Sequence, residues 1–215
     1  MSPFPVILSS PSGGGKTTIA HELLRRRPDL GYSVSCTTRP ARRGEVDGEA
    51  YYFVTPETFQ ESVRNGEFAE SAEVHGNSYG TLRREVDRVL SSGRHVIMDI
   101  DVQGARQFRL AYPQTVFVFI LPPDAGSMLR RLAGRGSESS ESLARRLESA
   151  LAELRSVDIY GYLVVNDDLE DAVKAVSGII DAEELKLEHV YGYRERVSAL
   201  VAGLETELDK MKRSA

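Results

Sequence analysis

The apolar run Val6-Ile7-Leu8 passes through Ser9-Ser10-Pro11-Ser12 into Gly13-Gly14-Gly15-Lys16-Thr17-Thr18, a glycine-rich turn ending in Gly-Lys-Thr. A turn of this kind binds phosphate. Its glycines let successive backbone N–H groups point at one anion, and a helix starting near Lys16 adds its positive end. In such a loop the lysine reaches the β- and γ-phosphates of a nucleotide while the Thr17 hydroxyl ligates Mg2+. Ser10, Pro11, Ser12, Gly13, Gly14, Gly15, Lys16, Thr17 and Thr18 are therefore candidate nucleotide-binding residues. Ser10 departs from the G-x-x-x-x-G-K-[ST] pattern, standing where the first glycine is expected. That position ends the strand, and the phosphate contacts come mostly from later residues. The bland alternative is a plain turn with an exposed lysine; strand, loop and helix each falling where the motif requires them count against it.

Two further sets of residues could serve phosphate chemistry. The run His95 to Asp101 reads as a strand ending in Asp99 and Asp101. On one strand these share a face, and either could hold the water shell of Mg2+, with Asp99 preferred. Arg39, Arg42 and Arg43 cluster in Thr37-Thr38-Arg39-Pro40-Ala41-Arg42-Arg43-Gly44-Glu45, close enough to grip a phosphate bidentately or to form a solvated basic loop.

These residues need a scaffold, and the chain supplies alternating strand and helix patterns. Strands are expected at Pro5–Ser9, Tyr32–Ser35, His95–Asp101, Thr115–Leu121 and Tyr162–Val165. Helices are expected after Lys16 and over Leu82–Leu90, Ala125–Leu132, Glu141–Val157 and Leu169–Leu187. Such alternation implies an α/β fold: a parallel sheet flanked by helices, with ligands at the carboxyl ends of the strands. Between the second strand and the helix at Leu82 an inserted small mixed α/β lobe breaks the alternation. Tyr51–Val54 and Phe68–Val74 have strand character, Pro56–Asn65 reads as a helix, and Asn77–Thr81 reads as a turn. Beyond Leu187, Val197, Leu200, Val201, Leu204, Leu208 and Met211 recur at helical spacing, giving an amphipathic helix that packs on the core or on a second subunit.

The Ser10–Thr17 loop, Ser33–Pro40, Gly44–Gly48, Asn77–Thr81, Asp99–Gly104, Arg135–Ser139 and Asn166-Asp167 together resemble guanylate kinases, in the order the family has them. The resemblance spans roughly residues 5 to 188. It implies a P-loop NTPase-type core (1–35 and 82–188), a GMP-binding lobe (36–81) and a lid near 134–145, with the helix at 190–213 beyond it. It also implies transfer of the ATP γ-phosphoryl group to GMP, and to dGMP, giving a nucleoside diphosphate and ADP. Glu70 and Asp101 would then accept from the guanine N–H groups, and Ser35 and Thr81 would address O6. Arg39, Arg42, Tyr51 and Tyr79 would hold the GMP phosphate, and Asn166 would belong to the ATP site. Lys16, Arg131, Arg135 and Arg146 would serve the transferring group, the arginines being delivered by lid closure that excludes water.

Composition narrows the alternatives without replacing them. At 215 residues, 41% hydrophobic and 27% charged, the chain has the makeup of one globular domain. A net charge of −5 argues against a general nucleic-acid or membrane-surface binder. Cys36 is the single cysteine, which excludes an intrachain disulfide and a multi-cysteine zinc site. No secretory signal and no spanning segment is recognisable, so the expected location is cytoplasmic, as a monomer or homodimer whose partners are ATP and GMP. A non-catalytic binding module of the same fold is disfavoured by the intact Lys16 and Thr17. A same-fold kinase for another phosphorylated small molecule is disfavoured by Glu70, Thr81 and Asp101 together. An NTPase coupled to movement lacks a large partner domain.

Overall fold

The computed structural model describes residues 2–74, 76–133 and 140–213. A five-stranded sheet, all of its neighbours parallel, runs in the order β2-β7-β1-β8-β9. Its strands are β1 (Pro5–Ser9), β2 (Leu30–Tyr32), β7 (His95–Asp99), β8 (Val116–Leu121) and β9 (Tyr162–Val165). β1 is buried along its whole length. Its alternate residues face opposite ways, so each face builds its own core. Val6 and Leu8 join Ile19 and Leu23 of α1 (Lys16–Arg26) and Val173, Val176 and Ile180 of α7 (Leu169–Glu184). Ile7 joins Val86 and Val89 of α3 (Arg83–Ser91) and Phe108 of α4 (Val102–Ala111).

A second sheet, ordered β4-β3-β6-β5, comprises β3 (Ser35–Thr37), β4 (Tyr52–Phe53), β5 (Phe68–Val74) and β6 (Asn77–Leu82). It is closed on one side by α2 (Pro56–Arg64), whose Phe59 stacks on Phe68 at 4.5 Å beside Cys36 and Leu82. The remaining helices are α5 (Ala125–Ala133), α6 (Ser140–Leu154) and α8 (Tyr193–Arg213).

Several sequence expectations change. The strand expected at 32–35 is two strands in two sheets: Tyr32 pairs with Ile97, whereas Ser35 pairs with Thr81, and the chain crosses between sheets at Ser33 and Val34. Ser35 and Leu82 thus belong to the small sheet, one residue outside the lobe limits read from the sequence. The expected turn at 77–81 is strand β6; Gly76, at φ +76, makes the reversal before it, and Gly80 packs on Phe68. β7 stops at Asp99, so Asp101 shares no strand face with it. Instead Asp101 caps α4, a helix the strand reading had overlooked, by accepting from Gly104 N at 2.7 Å. α6 ends at Leu154, with a single 3-10 turn following at Val157–Ile159. α8 does not pack on the core: residues 194–213 are exposed throughout.

Candidate active site

The carboxyl ends of β1 and β7 lie side by side, with Leu8 opposite Asp99. From the end of β1 the chain turns through Gly13 and Gly15, at φ +85 and +91, into α1. Glycine is required at Gly15 by contact as well as by angle, and at Gly14 by contact alone. A Cβ on Gly15 would lie 2.4 Å from Asn166 Nδ2, and one on Gly14 would lie 2.5 Å from Ser10 Cβ. The second contact explains how Ser10 is accommodated: its β-carbon fills the space Gly14 leaves, and its hydroxyl donates to Pro11 O at 3.0 Å. α1 has no side-chain cap and no acidic residue in its first turn, so its leading N–H groups remain available to an anion.

Side chains from distant elements brace this loop. Asn166, buried just past β9, donates from Nδ2 to Gly14 O at 2.8 Å, and Arg131 Nη2 donates to Asn166 O at 3.1 Å. Gly13, Thr18, Arg131, Asn166 and Leu169 border a cavity of about 460 Å³ beside the loop. Two residues of α6 hold the loop's tip. Ser12 N donates to Glu153 Oε2 at 3.1 Å, while Arg146 donates from Nη2 to Ser12 Oγ at 3.3 Å and from Nη1 to Leu132 O at 2.9 Å. Burial pushes the Glu153 carboxyl up, and the Lys16 charge opposes it. The Thr17 hydroxyl donates to Asp99 Oδ2 at 2.5 Å, and Tyr32 donates to Asp99 Oδ1 at 3.2 Å.

A second cleft, of about 470 Å³, separates the loop from the small sheet; Ser12, Lys16, Glu73, Asp101, Arg146 and Glu153 are among its walls. In the small sheet Thr81 is the Cα partner of both Ser35 and Glu70, so three polar residues from β3, β6 and β5 stand in one cross-strand row. The Thr81 hydroxyl donates to Glu70 Oε1 at 2.6 Å. Burial pushes the Glu70 carboxyl up to about 7; the Thr81 hydrogen bond opposes that shift and the Asp101 charge adds to it. A Cβ on Gly104 would come within 2.6 Å of Glu70 Oε2, so the first turn of α4 approaches the carboxylate closely because residue 104 is glycine.

Arg39, Tyr51 and Tyr79 form the other cluster of the lobe. The Arg39 guanidinium lies over the Tyr51 ring at 5.1 Å, and the Tyr51 and Tyr79 rings meet edge to face at 6.0 Å. Glu45 receives Arg39 bidentately at 2.7 and 2.8 Å and accepts from Arg42 N at 2.7 Å. Arg39, then Arg42 N, hold the Glu45 carboxyl down to about 2. Burial raises the Tyr51 phenol and the Asp99 charge raises it further.

A loop built for a polyphosphate thus looks across a cleft at an arginine-tyrosine cluster and a row of buried acceptors and hydroxyls. The sequence model of the guanylate kinase family matches residues 2–183. The chain belongs to the guanylate kinase family. It is 45% identical over 185 residues to the guanylate kinase of Carboxydothermus hydrogenoformans, covering 86% of this chain and 91% of that one. It is 48% identical over 171 residues to the guanylate kinase of Nostoc, covering 80% and 86%. The crystal structure of guanylate kinase from Anaplasma phagocytophilum superposes with a TM-score of 0.76 at 35% identity, covering 92% of this chain and 95% of that one.

For this member of the family, the geometry gathers Ser10 to Thr18, Asn166, Arg131 and Arg146 at the loop, and Thr17 with Asp99 beneath it. It gathers Ser35, Glu70, Thr81 and Asp101 at one end of the lobe and Arg39, Tyr51 and Tyr79 at another. The Arg42 side chain is exposed, and its contribution to that cluster is its backbone N–H. Arg135 and half of the expected lid, residues 134–139, lie outside the described residues. Sequence reasoning missed Tyr32, Glu45, Glu153 and Gly104. Glu45 carried a signal, being an acid among three arginines; Glu153 carried none, since 141 positions separate it from Ser12.

Proposed function

We infer that the protein transfers the γ-phosphoryl group of ATP to GMP, giving ADP and GDP. The observation that carries the substrate assignment is the Ser35–Thr81–Glu70 row, with Thr81 and Glu70 buried, closed by Asp101. Guanine offers donors at N1 and N2 and an acceptor at O6; adenine reverses much of that pattern. Glu70 and Asp101 accept from the first pair and Ser35 and Thr81 address O6. A wrong base leaves these buried groups unpaired, which discriminates by about 10⁴ or more.

The acceptor oxygen of GMP is already anionic, so the reaction needs positioning and charge neutralisation rather than a protein nucleophile. Lys16 and the N–H groups of the loop and α1 hold the ATP phosphates. Arg39, Tyr51 and Tyr79, with Arg42, hold the phosphate of GMP. Arg131 and Arg146 line the route between them and stabilise charge on the group in flight. Mg2+ fits the hard oxygen donors of Thr17 and Asp99, whose side chains already meet, the hydroxyl donating to the carboxylate at 2.5 Å. When bound, it neutralises charge on the ATP phosphates. A cytoplasmic location is part of the same proposal.

The test is ADP production from ATP and Mg2+ with GMP, dGMP, AMP, UMP, CMP and ribose 1,5-bisphosphate offered singly. Turnover confined to the guanine nucleotides is expected. Comparable turnover with AMP would overturn the pocket assignment, and turnover with none, despite ATP binding, would turn the reading to a binding module.

A further inference from the structure

α8 poses a physical problem that the rest of the fold does not solve. It runs for 21 residues with none buried, and Val197, Leu200, Val201, Leu204, Leu208 and Met211 are 47 to 70% exposed. A lone helix of this length is marginal in water, and Gly203 at its middle weakens it further.

The stripe has a specific period. Val197, Val201, Leu204, Leu208 and Met211 are spaced four, three, four and three residues apart, the seam of a left-handed coiled coil, with Leu200 flanking it at g. Val201 and Leu208 then occupy a positions, and Val197, Leu204 and Met211 occupy d. In one heptad, β-branched Val201 at a is followed by Leu204 at d, the combination that favours two strands.

We propose that α8 is a dimerisation helix whose occupant is α8 of a second copy, wound parallel and in register. Charge decides the orientation. In the parallel pair Glu207 at g flanks Lys212 at e of the partner, twice by symmetry; within one chain Glu207 pairs with the nearby Lys210, at 2.7 Å. The antiparallel pairing that best overlaps Val201 to Met211 sets Glu205 against Glu205 and Glu207 against Glu207. Sliding that pairing by one heptad puts Arg194 opposite Met211 in the seam and leaves Glu207 beside Leu200. Parallel, in-register pairing alone buries the stripe and joins opposite charges.

Sedimentation velocity of the full chain over a range of concentrations tests the pairing. We expect a dimer that dissociates on dilution. L204E/L208E is expected to be monomeric at every concentration, with GMP-dependent turnover unchanged, because neither residue touches the body of the protein. K212E is expected to weaken the dimer and E207K/K212E to restore it. L204C is expected to form an intermolecular disulfide under mild oxidation, which parallel in-register helices alone permit at that position. A full chain that stays monomeric, whether or not it binds anionic vesicles through α8, overturns the proposal. So does a dimer that persists in L204E/L208E, or one that E207K alone strengthens.

Discussion

Around the phosphate loop the turn itself is set by backbone and buried hydrocarbon, and polar side chains only brace it from outside: β1 is sealed on both faces, two positive-φ glycines set the turn, and Asn166, Arg146 and Glu153 tie the loop. The small sheet is different. Its working residues are charged or hydroxylic side chains from β3, β5, β6 and the start of α4, and one of them, Glu70, is buried beside another carboxylate. Phosphate is recognised by charge and by N–H groups that any rigid backbone can present, so the loop can be built for stability and function together. A base is recognised by its edge, and a matching edge has to be assembled from buried polar groups that oppose folding. The two regions should therefore fail differently when they are cut.

The largest effect is expected at the loop. Lys16→Ala removes a cation whose ammonium has no ion-pair partner among the described residues, so the fold should survive while kcat falls by about 10²–10³. Steady-state ADP production with circular dichroism on the same samples checks both halves, and a fall in helicity would break the contrast between the regions.

Next comes Glu70→Gln, which should weaken function and strengthen the fold at once. The amide still accepts from Thr81 but no longer offers a carboxylate to guanine, so kcat/KM for GMP should drop about 10- to 100-fold. The folded-state value of Glu70, about 7, lies above its ordinary 4.5. The favourable contribution of the neutral acid is thus complete below about 4.5 and is lost as pH rises through about 7. Chemical denaturation at pH 8 should find the glutamine variant more stable, by on the order of 3 kcal/mol. In the wild-type chain, KM for GMP should climb as pH falls below about 7, and that dependence should vanish in the variant. Equal stability of the two proteins at pH 8 would show that the lobe holds Glu70 without strain.

The same division explains what the sequence disclosed. The phosphate loop is contiguous, and its geometry is written in residue types: glycine where φ is positive, lysine and threonine at the start of a helix. Strands β1, β7 and β8 were legible because burial on both faces gives unbroken apolar runs. The lobe was harder. Asn77-Ser78-Tyr79-Gly80 has the composition of a turn, yet Gly80 is there because Phe68 packs on it. Asp99 and Asp101 alternate as strand residues would, and the helix after Asp101 showed only in Val102, Ala105 and Phe108, three residues apart and buried. Tertiary contact overruled local pattern in both places.

Arg146→Ala probes the strip of α6 between the two regions. Its guanidinium is held against Ser12 Oγ and Leu132 O at the loop's edge. If it stabilises the transferring group, kcat should fall by roughly tenfold or more while KM for GMP stays within about twofold. Unchanged turnover would leave it a brace of the loop alone.

Glu153→Gln should give the smallest change and the opposite sign. The carboxylate accepts from Ser12 N, in the loop that binds a polyphosphate, and its charge bears on Lys16. Glutamine can keep the hydrogen bond and removes only the charge, so what remains is one less repulsion on the incoming nucleotide. At the separations of a solvent-filled cleft that is worth about 0.5–1 kcal/mol, a roughly two- to fivefold fall in KM for ATP at low salt that shrinks as salt is added. If KM rises instead, the charge of Glu153 is holding Ser12 or Lys16 in the geometry that ATP needs. The loop would then depend on a half-buried carboxylate much as the lobe depends on Glu70.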